Sequence, residues 1–249
     1  SVFAMRNRTD MVPGIDAGEG LGTGGCDLVE LEQSFALRPV GSDAASDVLR
    51  SRQLAGLTAR QARLLCGLGV EAIYDLRKPL ERSRMPIPSE VPLRIVNFSE
   101  DLQGEPRRSL RTWAGVSSYG DPGDRPRAMY RHMAWHGPLF GRVVRGVADS
   151  TGRVIVSCAY GKDRTGVACA VLMKAAGASD SEILDDYLFT NVWNAGLNAR
   201  DLAFRARGCT ARERAVIRSM FIADESYLEA FFDEINRLYG SFEAYRDEY

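Results

Sequence analysis

Histidine is nearly missing from this chain, with only His132 and His136 among 249 residues. Their i, i+4 spacing has no third ligand beside it, so they are expected on a helix surface and no metal site is expected. Cysteine is sparse: Cys26, Cys66, Cys158, Cys169 and Cys209 are scattered, odd in number, and without framework or metal spacing. That excludes a disulfide scaffold and makes reduced thiols in a cytoplasmic protein the expectation. No apolar run approaches the roughly 18 residues that span a bilayer, so no stable membrane insertion is expected. The first twenty residues also lack an apolar signal core. An excess of charge of one sign is absent too. The formal net charge of -1 argues against general nucleic-acid binding. What remains, 45% hydrophobic and 26% charged residues, is the composition of an ordinary globular domain.

Against that background one stretch carries chemistry, Gly152 to Gly166 (GRVIVSCAYGKDRTG). Val154-Ile155-Val156 reads as a buried strand. A tight turn follows through Ala159, Tyr160, Gly161, Lys162 and Asp163, and after Arg164-Thr165-Gly166 the sequence turns helical. Backbone N–H groups of a strand–loop–helix start converge on one point, and the helix dipole adds positive potential there. A phosphate fits such a site. Cys158 lies at its floor, where a thiol is readily held as thiolate. Arg164 closes the loop with a planar fork that grips two phosphate oxygens. A thiolate beneath a phosphate held by amides and an arginine is a phosphoryl-transfer site: Cys158 attacks phosphorus, a phosphocysteine forms, and water hydrolyses it. Thr165 is placed to donate its hydroxyl to the thiolate. This chemistry needs no cofactor.

Cys158 and Arg164 with five residues between them, then Thr165-Gly166, resemble the signature loop of the cysteine-dependent tyrosine phosphatase superfamily. The run Gly161-Lys162-Asp163-Arg164-Thr165-Gly166 is similar to the bacterial branch acting on phosphotyrosine and phosphoinositides. The resemblance implies an α/β fold, a central mixed and largely parallel sheet flanked by helices. Further elements are similar in position: Val48-Leu49-Arg50-Ser51, Asp75-Leu76-Arg77 with Glu81, and Asp185-Asp186-Tyr187-Leu188 with Thr190-Asn191. Two departures stand out. Ser157 replaces the histidine that usually precedes the cysteine. In Ala36-Leu37-Arg38-Pro39-Val40-Gly41, Ala36 and Pro39 replace an expected polar pair.

Along the chain, residues 1–27 are expected as a flexible arm and 28–249 as the phosphatase domain. Leu28 to Gly41 suggests a first strand or hairpin. Thr58 with Gln61 forms a capping box before a helix closed at Gly69, followed by a strand over Val70–Leu76. Residues 85–127 hold six of the ten prolines and read as a long irregular loop. Its Arg107, Arg108, Arg111, Arg125 and Arg127 suit either a second anion contact or a solvated charge run. One or two helices are expected over Met129–Val147, broken near Gly137-Pro138. Ser179 with Glu182 caps another helix. Asp224 to Tyr239 is amphipathic, with Tyr227, Leu228, Phe231, Phe232, Ile235 and Leu238 as its core stripe.

Cleaving a phosphate monoester needs a proton for the departing oxygen. Asp163, inside the loop, is the preferred donor. Asp75 at a strand end competes, its other reading being an aspartate paired with a nearby arginine; Asp101, Asp121 and Asp124 are further choices. Three functions are consistent with these residues: a phosphatase for phosphotyrosine or phosphoinositides, a phosphatase for a small phosphorylated metabolite, or a phosphate-binding protein without turnover. The partner is therefore a phosphorylated small molecule or phosphoprotein.

Overall fold

The structure, a computed structural model, describes residues 25–43, 46–98 and 120–249. In chain order the elements are α1 (Gly25–Phe35), β1 (Arg38–Pro39), β2 (Val48–Ser51), α2 (Ala59–Gly67), β3 (Val70–Asp75), α3 (Pro79–Arg84), β4 (Arg94–Asn97), α4 (Asp124–Ala134), α5 (Gly137–Ala148), β5 (Arg153–Ser157), α6 (Asp163–Ala175), α7 (Asp180–Trp193), α8 (Ala195–Arg205), α9 (Ala211–Ser219), α10 (Glu225–Tyr239) and α11 (Phe242–Glu248). The chain divides into two compact units, one within residues 1–100 and 142–183, the other within 101–141 and 184–249.

The first unit holds a five-stranded sheet in the order β1-β2-β5-β3-β4. β1 runs antiparallel to β2, and the other three pairings are parallel. The mixed, largely parallel sheet expected from the sequence is therefore present. Pro39 sits on the two-residue edge strand, where its missing N–H costs no ladder bond. Across the four longer strands Leu49, Ile155, Ile73 and Ile95 share one register. They pack with Leu31 and Phe35 of α1 and with Ala62 and Leu65 of α2. Two residues on, the register carries Ser51, Ser157, Asp75 and Asn97. Polarity changes at the carboxyl ends of the strands, the edge where open α/β sheets assemble sites.

The second unit is helical. Its core includes Tyr130 of α4, Tyr187 of α7 and Tyr227, Phe231 and Ile235 of α10, all buried. The Tyr130 and Tyr187 hydroxyls share a hydrogen bond of 2.7 Å, and Tyr245 of α11 donates to the Gly137 carbonyl at 2.8 Å. The rings of His132 and His136 meet edge to face with centroids 5.2 Å apart.

Several sequence expectations need correction. Leu28–Phe35 is helical, because Leu31 and Phe35 sit one turn apart and both enter the core beneath the sheet. Only the end of the expected hairpin is real, in the β1–β2 pairing. The arm over residues 1–27 lies outside the described residues except at its end, where Gly25 opens α1. The stretch 85–127 is not wholly irregular: β4 lies inside it, bound in parallel to β3, and α4 starts at Asp124. The helix break falls at Trp135-His136, just before Gly137-Pro138. On α10, Leu238 is exposed rather than part of the buried stripe.

Candidate active site

β5 ends at Ser157 and α6 begins at Asp163, leaving Cys158 to Lys162 as the connecting loop. Three of the loop's carbonyls are tied down from neighbouring strand ends. Leu76 N–H donates to Ser157 O at 2.8 Å, Gln53 N–H approaches Ala159 O at 3.5 Å, and Arg50 Nη2 donates to Gly161 O at 3.0 Å. Every peptide here is trans, so each held carbonyl points the next residue's N–H in the opposite direction. The N–H groups of Cys158, Tyr160 and Lys162 are thereby turned away from the bracing strands. That is how a backbone anion cradle is built.

Gly161 is required by this packing. Its φ is +64°, and a Cβ there would stand 2.5 Å from Ser51 O and 2.9 Å from Arg52 N. The loop lies directly against the end of β2. The Arg52 guanidinium stacks over the Tyr160 ring at 4.9 Å, holding the half-buried loop tyrosine from the same side.

Cys158 is 2% exposed, at the floor of the loop. Arg164, on the first turn of α6, donates from Nη1 to Leu76 O at 2.9 Å and to Glu81 Oε2 at 2.7 Å, and from Nη2 to Glu81 Oε1 at 2.9 Å. Burial works to raise the Glu81 carboxyl; the hydrogen bond and charge of Arg164 and the Lys78 N–H outweigh it, so the carboxyl is held below its ordinary range. Lys162 Nζ, itself buried, donates to Asp163 Oδ1 at 2.5 Å, and Asp163 keeps about a fifth of its side chain exposed (22%). Gly166 N–H closes the first helical turn onto Lys162 O at 2.8 Å.

Asp75 is elsewhere in this network. Its two oxygens accept from Arg77 Nε at 2.9 and 3.1 Å and from Nη2 at 2.7 Å, and both side chains are 1% exposed. Arg77 also reaches Met85 O at 2.6 Å. The Asp75–Arg77 pair fixes the turn that carries Glu81. Asp121 and Asp124 lie in the second unit, where Asp121 meets Arg212 and Asp124 meets Arg127. Asp101, Arg107, Arg108 and Arg111 lie outside the described residues. Thr165 is fully buried and its Oγ1 makes no hydrogen bond, so the expected bond to Cys158 is not formed. Ser157 Oγ is likewise buried without a partner. Among the described residues no group of three or more His, Cys, Asp or Glu is placed to hold a metal, and no helix is long and apolar enough to cross a membrane.

Two parts of this arrangement were not drawn from the sequence. Glu81 is the partner of Arg164, and Arg50 is the buried brace of Gly161 O. The signal for Arg50 was available: it is a charged residue inside Val48–Ser51, a strand buried along its whole length.

A provisionally named tyrosine-protein phosphatase of Cupriavidus necator is 36% identical over 92 residues, covering 37% of this chain and 33% of its own length. A tyrosine-protein phosphatase of Nostoc commune is 28% identical over 144 residues, covering 57% of this chain and 48% of its own length. This chain thus spans a third to a half of those curated relatives. Among solved structures, P. aeruginosa TpbA in complex with pTyr aligns with 73% of this chain and 97% of its own, at 17% identity and a TM-score of 0.36. The model of the tyrosine phosphatase family matches residues 44–249, which include the whole loop, its bracing strand ends and Glu81. By that match the chain belongs to the tyrosine phosphatase family.

Proposed function

We propose that this protein is a cysteine-dependent phosphomonoester phosphatase whose preferred substrate is phosphotyrosine. The observation that carries the proposal is the loop itself: Cys158 at its floor, three carbonyls pinned outward so that N–H groups face the other way, and Arg164 on the first turn of α6. Cys158 Sγ attacks phosphorus as a thiolate, the P–O bond to the tyrosyl oxygen breaks, and that oxygen takes a proton. The loop amides and Arg164 hold the three equatorial oxygens. Ala159, Tyr160, Gly161, Lys162, Thr165 and Gly166 form the phosphate cradle. Water then attacks the phosphocysteine, releasing inorganic phosphate and regenerating the thiolate.

Asp163 is the proton donor in this scheme. It opens α6 at the end of the loop and is partly exposed, whereas Asp75 spends both oxygens on Arg77 and is buried. A reducing cytoplasm suits a mechanism that turns on a free thiol. The names of the relatives favour phosphotyrosine. The Ala36 and Pro39 departures favour a second reading, a small phosphorylated metabolite. Ala36, at a strained φ of 48°, and Pro39 bring no polar side chain to the β1 segment.

The deciding experiment is phosphate release from p-nitrophenyl phosphate by wild type and Cys158→Ser, followed by a panel of phosphotyrosyl peptides, nucleotides, sugar phosphates and inositol phosphates. Turnover lost in Cys158→Ser and highest on the peptides is the expected result. An inert wild type whose Cys158 resists iodoacetamide overturns the enzymatic reading. Higher turnover on a metabolite moves the substrate assignment to the second reading.

A further inference from the structure

Arg50 is among the largest side chains buried from solvent, at 2% exposure, and it lies in the middle of a strand buried throughout. A buried guanidinium costs free energy unless it is fully bonded, so its retention calls for a physical reason. The structure supplies one. Arg50 pairs in register with Val156, two residues before Cys158, and its Nη2 reaches past the strand end to donate to Gly161 O at 3.0 Å. The residue next to the nucleophile does no such work, since Ser157 Oγ is buried and bonded to nothing. We infer that Arg50 is a positioning residue for the phosphate loop: it fixes the Gly161–Lys162 peptide so that Lys162 N–H faces the bound oxyanion.

The physical chain is short. With the carbonyl of a trans peptide held on one side, its N–H is committed to the other. Without Arg50 the peptide is free to turn over and present its carbonyl oxygen, a repulsive dipole, to the phosphate. A donor in such a cradle acts more strongly on the transition state than on the bound ground state, so its loss is expected in kcat more than in KM.

The inference rests on the phosphatase reading above, and its test separates the two. Arg50→Met, Arg50→Gln and Arg50→Lys are compared with wild type for p-nitrophenyl phosphate kinetics and orthovanadate inhibition, with folding checked by circular dichroism. Expected for Arg50→Met is a fall in kcat of about tenfold or more, with KM changed less, and weaker vanadate inhibition. Arg50→Lys and Arg50→Gln, which keep a donor, are expected to recover part of kcat. Should Arg50→Met fail to fold, the Lys and Gln pair carries the same comparison. Variants that lose thermal stability yet keep the wild-type vanadate inhibition and kcat overturn the inference and leave Arg50 as a structural residue. A wild type without turnover instead overturns the phosphatase reading.

Discussion

Both carboxylate oxygens of Glu81 face the guanidinium of Arg164, at 2.7 and 2.9 Å. The same Glu81 accepts the Lys78 N–H at 2.7 Å, so one side chain caps the start of α3 and anchors the loop arginine. With two of its nitrogens fixed this way, the guanidinium is oriented before any phosphate arrives. Glu81→Gln keeps the shape and removes the charge. It should lower kcat/KM on p-nitrophenyl phosphate by roughly ten- to hundredfold, the scale of one or two hydrogen bonds to a charged group. Unchanged kinetics would mean that Arg164 orients itself without Glu81.

The same pair predicts a dependence on pH. Glu81 is held below its ordinary value of 4.5, burial being outweighed by Arg164. A carboxyl depressed in the folded state adds stability that is fully present above its unfolded value and disappears as pH falls through the folded one. The gap in thermal midpoint between wild type and Glu81→Gln should therefore stay constant from neutral pH down to about pH 5 and close below it. Calorimetry at stepped pH measures this. A gap that persists into acid would assign the effect to packing instead of the ion pair.

Asp163 and Asp75 should separate cleanly. If Asp163 is the proton donor, as proposed, turnover of a substrate with a poorly leaving alkoxide should fall by about 10²–10⁴-fold in Asp163→Asn, and that of p-nitrophenyl phosphate by less. The variant's thermal midpoint should fall less than that of Asp75→Asn, since Asp163 is partly exposed and the asparagine oxygen still accepts from buried Lys162. Asp75→Asn breaks a pair in which both partners are 1% exposed, and stability should fall by about 3–5 kcal/mol. Denaturant titration with parallel kinetics tells the two apart. A leaving-group-dependent defect in a well-folded Asp75→Asn would reverse the assignment.

How much of this was legible beforehand follows from the range of the forces involved. The capping box of Thr58 and Gln61 is local, and both of its hydrogen bonds form, at 3.2 and 2.9 Å. The strand–loop–helix of Val154 to Ala175 is local too and forms in the expected order, with α6 starting at Asp163 rather than after Gly166. By contrast, Leu28 to Phe35 suits a strand or a helix in isolation; only the sheet surface offered to Leu31 and Phe35 decides for α1. β4 has exposed or half-buried residues throughout and exists because β3 supplies its hydrogen bonds. Arg164 meets Glu81 across 83 positions and Arg50 meets Gly161 across 111. Motif spacing names such residues without saying which of them touch.

Gly161 offers a test with a built-in control. Gly161→Ala must accept a φ of +64° and a Cβ 2.5 Å from Ser51 O, a backbone atom that cannot swing aside. Gly177→Ala faces a similar φ of +88° with nothing within 4 Å. Both should lose the roughly 1–3 kcal/mol of a strained backbone, and Gly161→Ala should lose more stability and most of its turnover besides. Equal stability losses, with turnover intact in both, would show that the loop does not depend on contact with β2.

Ser157 gives the sharpest contrast with intuition about polar residues near a nucleophile. Its Oγ is buried and makes no hydrogen bond, so it bears a desolvation cost that nothing returns. Removing the oxygen leaves a methyl group of nearly the same size, and the β5 backbone bonds to β2 and β3 are untouched. Ser157→Ala is therefore expected to be neutral or to stabilise by about 1 kcal/mol. The carbonyl of residue 157 still accepts from Leu76 N–H, so the loop entry should keep its shape. Denaturant titration measures the change, and a stability loss beyond about 1 kcal/mol would reveal that the hydroxyl supports the fold after all.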